Sequence, residues 1–442
     1  MRPFVVKNQP SLRGEISLLG DKAITHRAVI LSCLARGNTR IKNFPDNDDC
    51  QATISAFKSL GVKAKKEKGT LNISGVGLCG LFKPKSPIFI NESGTTFRLL
   101  LGILAGQDFK TKLLAGKSLS KRPMLRVILP LRLMGAVIHG QTGKRANGQR
   151  EEYPPISIKG GNLKPIAYKM PLASAQVKSA ILLAGLYAEG RTSVIEPIKT
   201  RDHTERMLKL FKADIKVNGN KIVLKGKKNL LSPKIIYVPG DISSAAFFMV
   251  LATLIPESKI IIRNVSLNPT RIGVLKVLKR MGANITVKAK KSKIKGIEPI
   301  GDLIVKSVSL KGTIVSKEEI PSLIDELPVL MVAASLAQGT TIFNNAGELR
   351  VKETDRIRSM LLNLKKMGAD IKVLRTGRSE NIVVHGKEKL TGAKVMSFGD
   401  HRTAMSMVVA GMAAVGKTLV DDISCIKKSF PEFVSVLRSL TD

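Results

Sequence analysis

The chain has 442 residues, and at roughly 100–200 residues per domain it predicts two or three domains. Hydrophobic residues make up 43% and aromatics only 4%, with no Trp, so aliphatic cores are expected. Lysine and arginine number 73 against 34 acids, a formal charge of +39 that points to anionic partners: nucleic acid, anionic membranes or anionic metabolites.

The residue distribution narrows that choice. The lysines are dispersed, in runs such as KAKKEKG at 63–69, KGKKN at 225–229 and KAKKSKIKG at 288–296, as on solvated strand edges. No aromatic stripe is interleaved with them, so a single-strand stacking platform is disfavoured and no specific nucleic-acid partner is expected. No run of 18 residues is uninterrupted and apolar, so no membrane span is expected. Cys33, Cys50, Cys79 and Cys425 form no C-x-x-C pair, and no His sits at metal spacing. Free thiols, no metal and a cytoplasmic location follow as expectations, since the N-terminus reads as strand, turn, strand and not as a signal peptide.

In chain order, Gly20-Asp21 reads as a turn and N-cap, followed by an apolar helix carrying Lys22, His26 and Arg27 in its first turns. A helix start disfavours cations, so these need an explanation. A repeat then emerges: an apolar helix ending in Leu-x-x-(Leu/Met)-Gly, a short strand, a turn and a second strand. Copies stand at 57–75, 131–160, 207–226, 277–290 and 363–386. The glycine is a helix C-cap, with Lys212 in its place in the third copy. The I-x-V alternation after it marks a half-buried strand. A sixth copy requires the C-terminal helix, 431–440, to combine with the N-terminal strands. The mixed α/β chain thus divides into a first domain of both ends, 1–20 and 239–442, and a second of the middle, 21–238, with a small-molecule site expected in the cleft between them.

Polar clusters interrupt the apolar pattern. Ser93-Gly94-Thr95-Thr96 precedes a helix carrying Arg98, and backbone N–H groups of such a turn can cradle an anion. Lys121 and Arg122 precede a proline. Ser174 and Gln176 open another apolar helix, TRDHTERM at 200–207 a further one, and Asp325-Glu326 the next. RVKETDR at 350–356 packs charges of both signs, FGDHR at 398–402 repeats the opening pattern, and Lys427-Lys428 stand near the C-terminus. Taken singly, each is an ordinary cap or solvated loop. Together, cationic helix starts suggest one shared anionic ligand.

The ordered set GDKAITHR, ESGTTFR, KRPM, ASAQVKSA, TRDHTE, DELPVL, RVKETDR, GDHR and KKSFPEF resembles the 5-enolpyruvylshikimate 3-phosphate (EPSP) synthase family, from about Gly20 to about Phe433. The resemblance implies two globular domains, each of three βαβαββ repeats in an inverse α/β barrel-like arrangement. It implies transfer of the enolpyruvyl group of phosphoenolpyruvate to the 5-hydroxyl of shikimate 3-phosphate, by addition and elimination with release of phosphate. The family works in chorismate and aromatic amino acid biosynthesis and includes the target of glyphosate. No metal or organic cofactor is implied, and a monomer is expected.

By matching motif, the implied catalytic residues are Lys22, Asp325 and Glu353: a cation between both substrates, a base near the 5-hydroxyl, and a proton donor and acceptor near C3. Shikimate 3-phosphate contacts fall on Lys22, Ala23, Arg27, Ser174, Ala175, Gln176, Arg201, Asp325 and Lys352. Phosphoenolpyruvate contacts fall on Lys22, Gly94, Arg122, Gln176, Arg356, Arg402 and Lys428. Arginine suits such a clamp because its planar fork meets carboxylate and phosphate bidentately.

The chain departs from many members at Ala23, where they have Ser, and at Glu92 and Glu348, where they have Asn. Losing one neutral hydrogen bond at Ala23 costs about 0.5–1.5 kcal/mol. A carboxylate beside an anionic substrate repels it unless paired or protonated. Glu at both positions, with TRDHTE and ASAQVKSA, resembles the branch whose members are often less sensitive to glyphosate, whereas the small Gly94 implies an open phosphoenolpyruvate pocket, so the two signals on glyphosate sensitivity oppose each other. The related transferase acting on UDP-N-acetylglucosamine normally shows Lys-Asn in its first motif and a loop cysteine, whereas Lys22 is followed here by Ala23. A nucleic-acid binder and an inactive scaffold are the remaining rivals, the latter opposed by intact Lys22, Asp325, Glu353, Arg356 and Lys428.

Overall fold

A computed structural model describes residues 3–67, 69–144, 148–290, 298–377 and 379–441. The lysine run at 288–296 lies, from position 291 on, outside the described residues, as does position 68 of the run at 63–69. The chain is a mixed α/β protein, and the strands among the described residues form six small sheets. It divides into two compact units, one of Met1–Leu19, Pro239–Lys293 and Pro299–Asp442, the other of Gly20–Val238 and Ile294–Glu298. The inclusion of Glu298 in the second unit was not anticipated by the sequence division at 238/239.

The second unit carries helices α1 (Lys22–Leu34), α2 (Asp48–Ser59), α3 (Gly94–Leu104), α4 (Leu125–Leu133), α5 (Ala175–Gly185) and α6 (His203–Leu210). The first carries α7 (Ile242–Leu254), α8 (Gly273–Arg280), α9 (Ile320–Leu323), α10 (Leu327–Ser335), α11 (Arg356–Lys366), α12 (His401–Ala413) and α13 (Phe433–Arg438). Helices α7, α10 and α12 pack on one another, as α3 does on α1 and α5. They are buried nearly all round, so beyond their first turns their sequences are mostly apolar. Each unit has its own aliphatic core.

Five sheets share one strand order, and each ends in an antiparallel hairpin, such as Lys63–Glu67 with Thr70–Val76 or Asp214–Asn218 with Lys221–Lys225. The hairpin's second strand sits inside, next to a strand whose other neighbour is parallel. These are the helix–strand–turn–strand copies, and the helix-ending glycines Gly61, Gly135, Gly282 and Gly368 all have φ near +90°, between +87° and +107°. Lys212 takes the same left-handed region at φ 64°.

The sixth sheet has three strands, and in it the N-terminal strand Phe4–Lys7 runs antiparallel to Lys417–Val420. The next strand, Arg13–Ser17, leaves that sheet and pairs in parallel with Lys259–Ser266. The two N-terminal strands therefore do not form a hairpin with each other, since each finds a longer-range partner. Arg13 N–H donates to the Leu440 carbonyl (3.2 Å), which ties the C-terminal end to the N-terminal strands.

Candidate active site

Three Gly-Asp pairs precede buried helices, and in each the aspartate is the cap. Asp21 accepts from Ile24 N–H (2.9 Å), Asp241 from Ser243 N–H (2.7 Å) and Asp400 from Arg402 N–H (2.7 Å). Such caps satisfy N–H groups otherwise left without partners in the first turn. They also leave the side chains that follow them held at a fixed end of the helix.

In the second unit, α1 begins with Lys22, whose ammonium pairs with Asp49 (2.8 Å) on α2. Ala23 follows, and its carbonyl accepts from Arg27 Nη1 (2.9 Å). Arg27 is buried and spends its other donors on Thr204 Oγ1 (2.7 Å) and Ser179 Oγ (3.0 Å). Burial, helped by Arg201, brings its guanidinium down to about 10, while Glu205 and Asp21 oppose the fall. Burial and the neighbouring Lys22 and Arg27 also push His26 well below its ordinary range, so that ring is neutral. It bonds to Thr53 Oγ1 (2.7 Å). The cations at this helix start are thus held by acceptors of the protein itself, which the dipole argument alone did not supply.

Helix α3 starts at Gly94 under a Ser93 cap. A Cβ built on Gly94 would lie 2.7 Å from Arg122 Nη1 and 3.0 Å from Arg98 Nη1. Two guanidinium groups therefore press against this helix start, and only a hydrogen at Gly94 leaves them room. Arg98 is fixed by Gln176 Oε1 (2.8 Å) and the Pro123 carbonyl (3.2 Å), and Gln176 Nε2 donates to Thr95 Oγ1 (3.0 Å). Ser174 caps α5, Ala175 is its first residue, and Arg201 lies in the loop before α6. Glu92 is paired: Oε1 accepts from Ser118 N–H (3.1 Å) and Oε2 from Leu119 N–H (2.7 Å), fixing the turn that precedes Arg122. Both of its oxygens thus serve the loop.

In the first unit, carboxylates converge on Arg356, a fully buried side chain at the start of α11. Nε meets Asp400 Oδ2 (2.9 Å), Nη1 meets Asp325 Oδ1 (3.2 Å), and Nη2 pairs with Glu353. Burial alone would lower this guanidinium, but Asp400, Glu353 and Asp325 together outweigh it and hold it raised. Lys352 is held below the ordinary lysine range by burial, against the pull of Asp325 and Glu348. Arg402 Nη1 reaches the Ser243 carbonyl (3.3 Å) and Lys428 Nζ the Gly399 carbonyl (3.3 Å), which places both at the start of α12. Among the described residues no group of three or more His, Cys, Asp or Glu side chains is placed to hold a metal ion, and no helix is long and apolar enough to cross a membrane.

The predicted residues thus fall into two groups. Lys22, Ala23, Arg27, Gly94, Arg122, Ser174, Ala175, Gln176 and Arg201 lie in the second unit, and Asp325, Lys352, Glu353, Arg356, Arg402 and Lys428 in the first. Sequence reasoning missed the partners: Asp49, Ser179 and Thr204 in one unit, and in the other Asp400 as a ligand of Arg356. Only Asp400 carried a local signal, as a cap, and the tertiary role of its second oxygen had none.

The family model of EPSP synthase (3-phosphoshikimate 1-carboxyvinyltransferase) matches residues 6–437. The chain belongs to the EPSP synthase family. It is 47% identical over 438 residues to the 3-phosphoshikimate 1-carboxyvinyltransferase of Desulforamulus reducens, covering 99% of each chain. It is 47% identical over 441 residues to that of Geotalea daltonii, covering 100% of each. The solved EPSP synthase of Acinetobacter baumannii superimposes with a TM-score of 0.85 at 42% identity, covering 100% of this chain and 98% of that one. The activity is accordingly that of a 3-phosphoshikimate 1-carboxyvinyltransferase, a transferase of the shikimate pathway.

Proposed function

We propose that the residues assembled above carry this reaction, with phosphoenolpyruvate as enolpyruvyl donor and shikimate 3-phosphate as acceptor. The finer architecture proposed with it is two domains, each of three βαβαββ repeats. Glu353 gives a proton to C3 of phosphoenolpyruvate, so that C2 gains oxocarbenium character. The 5-hydroxyl attacks C2 and its proton passes to Asp325, with Lys22 balancing charge between the substrates. In the elimination, C3 returns its proton to Glu353 as the C2–O bond to phosphate breaks, and the leaving phosphate takes the proton held by Asp325, so both carboxyl groups are restored. Arg122, Arg356, Arg402 and Lys428, with the Gly94 backbone, hold the donor's carboxylate and phosphate. Arg27, Ser174, Ala175, Gln176, Arg201 and Lys352 hold the acceptor, beside Ala23.

The observation that carries this reading is the fork of Arg356, which is aimed at Asp325 and Glu353 together. A buried arginine that touches both proposed proton carriers holds them side by side in a fixed geometry until an anionic donor competes for it. The test is phosphate release from phosphoenolpyruvate, with shikimate 3-phosphate or UDP-N-acetylglucosamine as acceptor. Turnover is expected with shikimate 3-phosphate only, and Glu353→Gln should lower kcat by roughly 10²–10⁴-fold. Undiminished turnover in Glu353→Gln would remove it from the proton path.

A further inference from the structure

Lys178 lies in the first turn of α5, four residues after the Ser174 cap, and its side chain is fully buried. Its ammonium sits 3.0 Å from Oε2 of Glu196 and 2.6 Å from Oε1 of Glu205, and both carboxylates are buried too. Glu196 uses its other oxygen on Thr200, accepting from the backbone N–H (3.1 Å) and from the hydroxyl. Thr200 directly precedes Arg201. Glu205 lies in the first turn of α6, next to Thr204, which receives Arg27. Ser179, the neighbour of Lys178, also receives Arg27 and bonds to Thr204 (2.6 Å). One ammonium therefore ties together three segments: the α5 start that carries Ser174 and Gln176, the loop that carries Arg201, and the helix that holds Arg27.

Fold stability is a weak reason for such a cluster. Replacing a buried ion triad by apolar side chains of similar volume is often neutral or stabilising, because desolvation offsets the Coulomb gain. What the triad does supply is geometry, since a buried ammonium between two carboxylates has few alternative positions. None of these three charged groups is among the residues expected to touch substrate.

We propose that Lys178 is a positioning residue: clamped between Glu196 and Glu205, it fixes the Ser174–Gln176 turn relative to Arg201 and Arg27, and so sets affinity for shikimate 3-phosphate without touching it. This rests on the assignment of those residues to shikimate 3-phosphate. Misplacing binding groups by about 1 Å can cost on the order of 10²-fold, so Lys178→Met should raise the KM for shikimate 3-phosphate at least tenfold. The KM for phosphoenolpyruvate should rise by less, since only Gln176 of the displaced groups is assigned to it, and Glu196→Gln should move shikimate 3-phosphate in the same direction by less than Lys178→Met. Calorimetric titration of the full chain with shikimate 3-phosphate gives the same comparison without turnover. Equal weakening of both substrates, or a lowered melting temperature with both KM values unchanged, would overturn the proposal. Should Lys178→Met not fold, Glu196→Gln decides: an unchanged KM for shikimate 3-phosphate rejects the positioning role. The unaltered enzyme separates the two readings, because its failure to bind or turn over shikimate 3-phosphate would sink the assignment itself, whereas a silent variant sinks only Lys178.

Discussion

At the scale of single residues, the site is governed by what surrounds each charge. Arg27 and Arg356 are both buried, but one is surrounded by hydroxyls and a carbonyl and the other by three carboxylates. Their guanidinium groups accordingly shift in opposite directions, one down and one up. Gly94 is the position where steric room decides function. A methyl there would meet Arg98, which cannot yield because Gln176 and Pro123 hold it, so Arg122 must move. Gly94→Ala should therefore weaken phosphoenolpyruvate. Losing one charge-assisted hydrogen bond costs about 1.5–3 kcal/mol, or roughly ten- to a hundredfold in its KM. Steady-state kinetics check this, with the KM for shikimate 3-phosphate expected to change little. The need for a small residue at 94 was legible as a Ser-Gly-Thr-Thr turn. Of the two groups pressing on it, Arg98 stands on the same helix, but Arg122 was not legible because it is 28 positions away in the chain.

At the scale of elements, the repeat was readable because it rests on local rules. A helix C-cap needs a left-handed residue, and glycine supplies it at Gly61, Gly135, Gly282 and Gly368. Lys212 is the exception that shows the rule is steric: the chain forces φ to 64° despite a Cβ. An L-residue there costs about 1 kcal/mol relative to glycine. Lys212→Gly is expected to stabilise the second unit by about that amount, read from urea or thermal unfolding, with kinetic constants unchanged. A neutral or destabilising result would mean that the Lys212 stem makes compensating contacts. The hairpins after each cap were equally legible from period-two alternation. The fates of the two N-terminal strands were not, since each pairs with a strand hundreds of residues away, and only the sheets choose between such partners.

At the scale of the whole molecule, the charge of +39 concerns rates more than structure. Part of it lies on exposed strand lysines such as Lys63, Lys221 and Lys225, where it raises the local concentration of small anions without a dedicated site. Such an effect is screened as the Debye length falls from about 10 Å at 0.1 M salt to about 3 Å at 1 M. The value of kcat/KM for both anionic substrates should therefore decline several-fold across that range, with kcat changing less. A flat profile would show that the surface charge plays no part in substrate capture.

By itself the sequence determined the class of the chain, its helices and hairpins, the Gly-Asp caps at Asp21 and Asp400 though not the one at Asp241, and the ordered motifs that resemble EPSP synthase, because each depends on neighbours a few residues apart. The tertiary structure alone decided which acceptors hold the cations at the helix starts. Lys22 turned to Asp49, Arg356 to Asp400 and Lys178 to Glu196 and Glu205, and in each case a buried or half-buried charge was matched by partners brought in from other elements. The physical reason is that a hydrogen-bond cap is satisfied within one turn of its own helix, whereas a desolvated charge is satisfied only by whichever groups the packing of the domain sets against it.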